Sequence, residues 1–216
     1  MKRIQHIVKE YRGILLLLVL SSVFRSVVAD WNTVPTGSMK PTILEGDRIL
    51  VNKMAYDLRL PFTHISLMQL DEPQRGEIVI FDSRKAGKRL VKRVVGLPGD
   101  VVAMRDNRLY LNGEWMDYEA QDSYAGFGDV KEQLKGRTHA VRLQVQASPL
   151  SNFGPVTVPT DHYLVLGDNR DRSADSWVYG FVPRREVVGR TDTVVISLNY
   201  GNYYLPRRER LWQALP

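Results

Sequence analysis

The sequence predicts a mostly β protein with one N-terminal apolar helix and a small inserted subregion. Three observations carry that expectation. The apolar run "GILLLLVLSSVFRSVVA" at residues 13–29 is the one stretch whose helical pattern exceeds about two turns. Beyond it, short apolar segments alternate with period two, the period at which strand side chains change face. Pro-Gly and Asn-Gly turn signals separate those segments. A chain of 216 residues, 44% hydrophobic and 25% charged, can bury a core and is not disordered throughout. No internal repeat is visible.

The elements follow in order. Residues 1–12 carry Lys2, Arg3, Lys9 and Arg12 against Glu10, a balance of +3. By the positive-inside rule this end stays cytoplasmic, residues 13–29 form a transmembrane anchor, and everything after residue 30 lies outside. The run is short for a bilayer core, which needs roughly 20 residues, and Arg25 interrupts its outer end. An Arg near a helix end snorkels to the headgroups. The competing reading is a cleavable signal peptide, with "VVA" before Asp30 as its cut site; Arg25 is out of place in such a segment. Either way the globular part is exported.

In that part, "ILEGDRILVNK" (43–53) reads as a turn and a short strand, and "GEIVIF" (76–81) as a compact apolar strand. "KRLVKRVVG" (88–96) alternates and closes on the "LPGD" turn. Strands follow around turns at Asp106-Asn107 and Asn112-Gly113. Residues 119–140 lack a clear period, and "DVKEQLKG" (129–136) suggests a short helix. "AVRLQVQA" (140–147) alternates again, "SPLSNFGPVTVP" (148–159) reads as loop, and strands return at "HYLVLGD" and "EVVGRTDTVVISL". Residues 101–160 are thus an inserted, loop-rich subdomain between core segments 30–100 and 161–200. The tail, 201–216, reads either as an interfacial segment or as a solvated end with a few docking contacts.

Composition narrows the function. With no cysteine, disulfides, Cys-ligated zinc and a thiol nucleophile are excluded. The net charge of +6 resides mostly at the ends: +3 in the first twelve residues and +2 in "RRER" (207–210), which leaves about one unit between them. That is not a nucleic-acid-binding face, and it suits membrane-adjacent ends better. The histidines, His6, His64, His139 and His162, show no metal-ligand spacing. Nothing calls for a cofactor or metal, and a Ser-His-Asp triad has no positive support.

Three stretches could carry chemistry. In "RLVKRVVG" the period-two rule puts Leu90, Lys92 and Val94 on one face and Val91, Arg93 and Val95 on the other. A lysine on an apolar face loses its proton more readily, because burial disfavours the charged form, and a neutral amine can take a proton from a hydroxyl. A strand lysine ordinarily lays its stem over apolar neighbours and keeps its ammonium in water, so the strand alone leaves both readings open. In "PTGSMKP" (35–41), prolines stiffen a loop in which Gly37 permits close approach to Ser38. The Ser38 N–H and the Thr36 hydroxyl together offer an oxyanion hole; such a loop is also a common turn. "GDNRDRSADS" (167–176) fails the EF-hand pattern. It reads as a turn cross-linked by internal Asp–Arg pairs that holds Ser173 rigidly.

These boxes, in this order, strongly resemble the type I signal peptidases, membrane-bound Ser/Lys endopeptidases that remove signal peptides from exported proteins. "PTGSMKPT" matches that family's S-G-S-M-x-P-T box, and "EGDRILVNK", "KRVVGLPGD" and "GDNRDRSADS" with "GFVP" follow. The resemblance covers roughly residues 13–100 and 162–190. It implies a signal-peptidase-like β-sheet catalytic core, with Ser38 as nucleophile and Lys92 as general base. It further implies an oxyanion hole from Thr36 and the Ser38 N–H, with Ser173 orienting Lys92. Asp175 positions the site, Asp168 and Arg170 brace it, and Val34, Met39, Ile43, Leu90 and Val91 form pockets for small substrate side chains. Thr36 stands where the family often has Ser and keeps the hydroxyl. Trp177 stands where an Arg commonly pairs with Asp175. Family members from proteobacteria commonly carry two anchors and a larger insertion, so one anchor and a compact insertion fit a single-pass or accessory form.

The implied partners are signal-peptide-bearing preproteins and the lipid bilayer, with the protein a monomer. The implied location is the bacterial inner membrane, with the catalytic domain on the periplasmic side. The alternatives are a dedicated pilin or conjugation-protein peptidase of the same class and an inactive anchored binding domain. Self-cleaving repressors share the dyad logic but need a DNA-binding domain and no anchor.

Overall fold

The computed structural model describes residues 2–124, 126–146 and 148–216, with side chains from residue 11 onward except that of Tyr124. The chain starts with α1 (Lys2–Val27), β1 (Ala29–Thr33), β2 (Asp47–Asn52) and a small hairpin of β3 (Asp57–Arg59) and β4 (Ser66–Gln69). Next come β5 (Ile78–Ser83), β6 (Lys88–Gly96), β7 (Val101–Arg105), β8 (Arg108–Leu111) and β9 (Glu114–Trp115). Then follow β10 (Asp117–Tyr124), β11 (Phe127–Leu134), β12 (Arg137–Gln144), β13 (Phe153–Thr157) and β14 (His162–Leu166). The rest is α2 (Ser176–Tyr179), β15 (Val182–Pro183), β16 (Val187–Asn199), β17 (Leu205–Pro206) and β18 (Gln213–Ala214).

A 9-stranded sheet of order β1-β2-β16-β5-β6-β14-β15, with β17 and β18 also on β16, forms the body. β5 is buried on both faces because its apolar run alternates between two cores. Ile78 and Ile80 join Val34, Met39, Ile43, Ile49, Val51 and Val194 on one side. Val79 and Phe81 join Tyr56, Val94, Tyr163 and Val165 on the other. Residues such as Val95, Leu164 and Leu166 face a third core supplied by β7 and β8.

The inserted region is richer in strand than expected. β13-β7-β8-β9 form one sheet and β10-β11-β12 another. The helix expected over 129–136 is β11 and its turn. Glu132 and Leu134 are buried around exposed Gln133, a period of two, and positive φ at Lys135 and Gly136 closes a tight hairpin. Part of the expected loop 148–159 is the edge strand β13, whose pairing with β7 shifts between Phe153 and Val156, around Pro155, which has no N–H to give. The tail is neither free nor peripheral. β17 and β18 pair with β16, and Arg210 is buried against Asp47 at 2.5 Å.

At the helix end, Arg25 turns back onto Asp30 at 2.7 Å and over the Trp31 ring rather than extending along the helix. Side chains such as Ile14, Leu16, Leu17 and Phe24 are exposed. Among the described residues no helix is long and apolar enough to cross a membrane.

Buried charge joins insertion to body. Arg170 donates to both oxygens of Glu132 at 2.6 Å, and the Tyr118 hydroxyl donates to the same carboxylate. His139, opposite Glu132 in the β11–β12 register, lies 3.3 Å from Glu132 and 3.9 Å from Asp168. Removing one partner of such a pair strands the other charge without water. Arg170→Ala is therefore expected to lower the unfolding free energy by about 3–5 kcal/mol, read from urea denaturation of the solubilised protein, while truncation of the exposed Lys135 leaves the midpoint almost unmoved.

Candidate active site

Lys92 sits mid-strand in β6, opposite Val79 of β5. The alternation read from the sequence holds around it: Leu90 and Val94 pack into the core that contains Val79, whereas Val91 and Val95 pack into the two others. Lys92 is 2% exposed, and its Nζ donates to Ser38 Oγ at 2.7 Å. Burial pushes the amine down to about 8, although the Asp175 and Asp168 carboxylates pull it back up. Burial thus brings the titration of a strand lysine toward neutral pH.

The Ser38 loop is fixed from both sides. Met39 is fully buried beneath it, and the Ile43 N–H donates to Met39 O at 2.9 Å. From the facing box, Asn169 donates its main-chain N–H to Ser38 O at 3.0 Å and its Nδ2 to Gly37 O at 2.9 Å. Thr36 and Ser38 both line a cleft of about 490 Å³ whose walls include Val34, Met39, Leu90 and Val91. Ile43 is not part of that wall; it is fully buried behind it, in the cluster with Val34 and Met39.

The 167–176 box differs from expectation in how it is held. Its acids and arginines do not pair with one another. Asp168 is bound by Arg93 through two bonds of 2.9 and 2.8 Å, Arg170 reaches Glu132, and Asp171 accepts from Asn107, Ser148 and Ser151. Burial raises the Asp168 carboxyl, but the Arg93 charge and hydrogen bonds more than offset this and hold it below the usual range. Arg93 went unnoticed in the sequence, although its place beside Lys92 on the opposite strand face was the available signal.

Asp175 has no arginine partner, as Trp177 led one to expect. Its carboxylate accepts the N–H groups of Gly167 and Trp177 at 3.2 and 3.1 Å. Burial nevertheless keeps its pKa above the ordinary value, against the pull of those two donors, of Lys92 and of the Ser173 hydroxyl. Ser173 is buried, and its hydroxyl lies beside the Asp175 carboxyl without a well-aligned hydrogen bond to it or to Lys92. Gly167 is where Ser173 and Ser38 converge: a Cβ there would lie 2.5 Å from both Ser173 Cβ and Ser38 O. The histidines stand apart from Ser38. His139 belongs to the buried ion network, His162 contacts Thr160 O, His64 lies on the β3–β4 loop, and the side chain of His6 is outside the described residues.

A buried amine against a serine hydroxyl, at the edge of an apolar cleft, is the chemistry of a hydrolase that attacks through an activated alcohol. The chain belongs to the signal peptidase family, peptidase S26, whose family model matches residues 6–196; it is a hydrolase of that class. It is 36% identical over 197 residues to signal peptidase I of Pseudomonas aeruginosa, covering 84% of this chain and 69% of that protein. It is 33% identical over 218 residues to signal peptidase I of Rickettsia typhi, covering 88% and 80%. A solved signal peptidase I from Enterococcus faecalis V583 is 33% identical, covers 56% of this chain and 97% of that one, and superposes with a TM-score of 0.37, too low to bear on the fold.

Because two backbones and a side chain meet at Gly167, Gly167→Ala is expected to reduce peptide-bond cleavage by about 100-fold or more, the scale of an ångström misplacement. Far-UV circular dichroism should remain that of the parent, and turnover of a preprotein in detergent measures the loss.

Proposed function

We propose that this protein is a membrane-anchored endopeptidase that removes signal peptides from exported preproteins, with Ser38 as nucleophile and Lys92 as general base. The observation that carries the reading is the 2.7 Å contact of a buried Lys92 with Ser38 Oγ.

The neutral Nζ takes the Ser38 proton as Oγ adds to the scissile carbonyl carbon. The Ser38 N–H and the Thr36 hydroxyl face the oxyanion that forms. Collapse of this intermediate breaks the C–N bond, and the proton held on Lys92 passes to the departing amine of the mature chain. A water molecule, deprotonated by the now neutral Lys92, then attacks the ester carbonyl and releases the signal peptide, returning the proton to Ser38. Asp175 and Ser173 act as positioning groups around Lys92, and Asp168 with Arg170 brace them. The substrate lies extended against the strand edges around Val34 and Leu90, a β-addition mode in which alternate side chains enter pockets. Val34, Leu90 and Val91, with Met39 below and Ile43 behind, leave room for small residues such as alanine.

The apolar part of α1, residues 13–27, spans about 22 Å at about 1.5 Å per residue. We place it in the bilayer with residues 1–12 cytoplasmic and the β body outside. The Ile14–Leu20 side chains, exposed among the described residues, support that placement. Residues 30–100 and 161–200 then form the catalytic core, 101–160 the insertion and 201–216 the tail.

Ser38→Ala and Lys92→Ala are each expected to abolish preprotein cleavage in a gel-shift assay; parental rates in both would refute the dyad. Lys92 works only when neutral, so activity is half-maximal near its pKa of about 8, rises toward its full value above it and declines as pH falls below it. A pH series of kcat/KM should fall about tenfold per unit on the acid side, and a flat profile from pH 8 to 6 would exclude a lysine base. Alkaline carbonate extraction should leave the full chain with membranes and release a form lacking residues 1–29.

A further inference from the structure

Ser38 and Thr36 stand where two cavities meet. One is the apolar cleft assigned above to residues that precede the scissile bond. The other, of about 400 Å³, lies on the far side of Ser38 and includes Gly37, Lys40, Phe127, Arg142, Asn169 and Arg172 in its lining. A chain that enters the first cleft and passes Oγ continues into the second. Residues that follow the bond, those that start the mature protein, therefore occupy it.

Cations border both cavities, Lys88 and Arg89 at the first and Lys40, Arg142 and Arg172 at the second. Lys40 is neutralised by Glu45 at 3.1 Å, and Arg142 is held by both oxygens of Asp129 at 2.7 and 2.8 Å. Arg172 is exposed and lies at the junction of both cavities. Its guanidinium carbon is 4.7 Å from the Phe127 ring centroid, and among the described residues no carboxylate pairs with it. An aromatic face holds an arginine in place while leaving its N–H edge available to an anion. Asn169 is 5% exposed and spends its Nδ2 on Gly37 O, so it forms wall rather than a contact for the substrate.

We infer that this cavity is a subsite for the start of the mature chain, in which Arg172 selects carboxylate side chains just beyond the cleavage point. The inference rests on the peptidase reading above and names the substrate class at its leaving side. Arg172 is a specificity residue: it does not touch the reacting atoms, and it biases which preproteins are cut fastest. An acidic start is attracted, a neutral one is accepted, and a lysine-rich one is repelled.

The test uses the full chain in detergent micelles and preproteins that differ only at the second and third residues after the bond, where both are Asp, both Asn or both Lys. The expected order of kcat/KM is Asp, then Asn, then Lys, with about two- to fivefold per step, the scale of a partly exposed ion pair. The spread should flatten at about 0.5 M salt. Arg172→Gln should compress the order and Arg172→Glu invert it; a merely structural role would lower all three rates together. A matched set with Asp, Asn or Lys two residues before the bond should follow the charge at 172 more weakly than the set beyond it. Equal wild-type rates for the three preproteins, an order unmoved by Arg172→Glu, or a charge effect confined to the preceding side would overturn the inference and leave the peptidase reading standing. Failure of the wild type to cut any of them overturns both.

Discussion

The structure turns on keeping water away from one amine. Lys92 reaches Ser38 from the middle of a strand packed against apolar side chains of β5 and β14, and it is this dryness that weakens its hold on a proton. Three cores converge at β6, so the lysine is enclosed by the same packing that stabilises the sheet. Catalytic competence and fold stability are therefore not separable here. A change that loosens β5 against β6 would rehydrate the amine before it unfolded the protein.

The polar framework around that amine is built from long-range pairs rather than from local turns. Asp168 is tied to Arg93, Arg170 to Glu132, and Asp171 to Asn107 and two serines. Each reaches a different layer, so the 167–176 segment is a hub between body and insertion. Asp175 fits this pattern by contrast. Lacking an arginine, it is satisfied by two peptide N–H groups, which hold a carboxylate in place without adding a second cation beside Lys92. A guanidinium there would work against protonation of the amine, so Trp177 alters the electrostatics of the site as well as its packing, through its stack on Phe153.

What the sequence disclosed follows from the range of each interaction. The strand register around Lys92, the rigid serine loop and the hairpin turns are local, and local patterns can be read from residues alone. The helix expected at 129–136 failed for a physical reason. Glu132 looks like a surface residue, and only the arrival of Arg170, 38 positions away, makes it an inward-facing member of a strand. Arg93 and Arg172 were passed over on similar grounds, because a charged side chain has no meaning until its partner, or the lack of one, is known. Ser173 shows the reverse. The resemblance implies that it orients Lys92, and the structure buries it near Gly167 with no hydrogen bond to that amine.

The return of the chain at its far end has a consequence for biogenesis. The Ser38 loop is completed by Asn169, the strand that carries residues 47–52 is completed by β16, and Asp47 is neutralised by Arg210, 163 positions later. Arg93 also donates to the main-chain oxygen of Pro216 at 2.8 Å. Neither the serine loop nor β2 can settle until those distant segments arrive, and such non-local closure is slow. The loop that holds Ser38 is thus among the last parts of the fold to become rigid, so an incompletely folded chain lacks the geometry that a cleaving hydrolase needs.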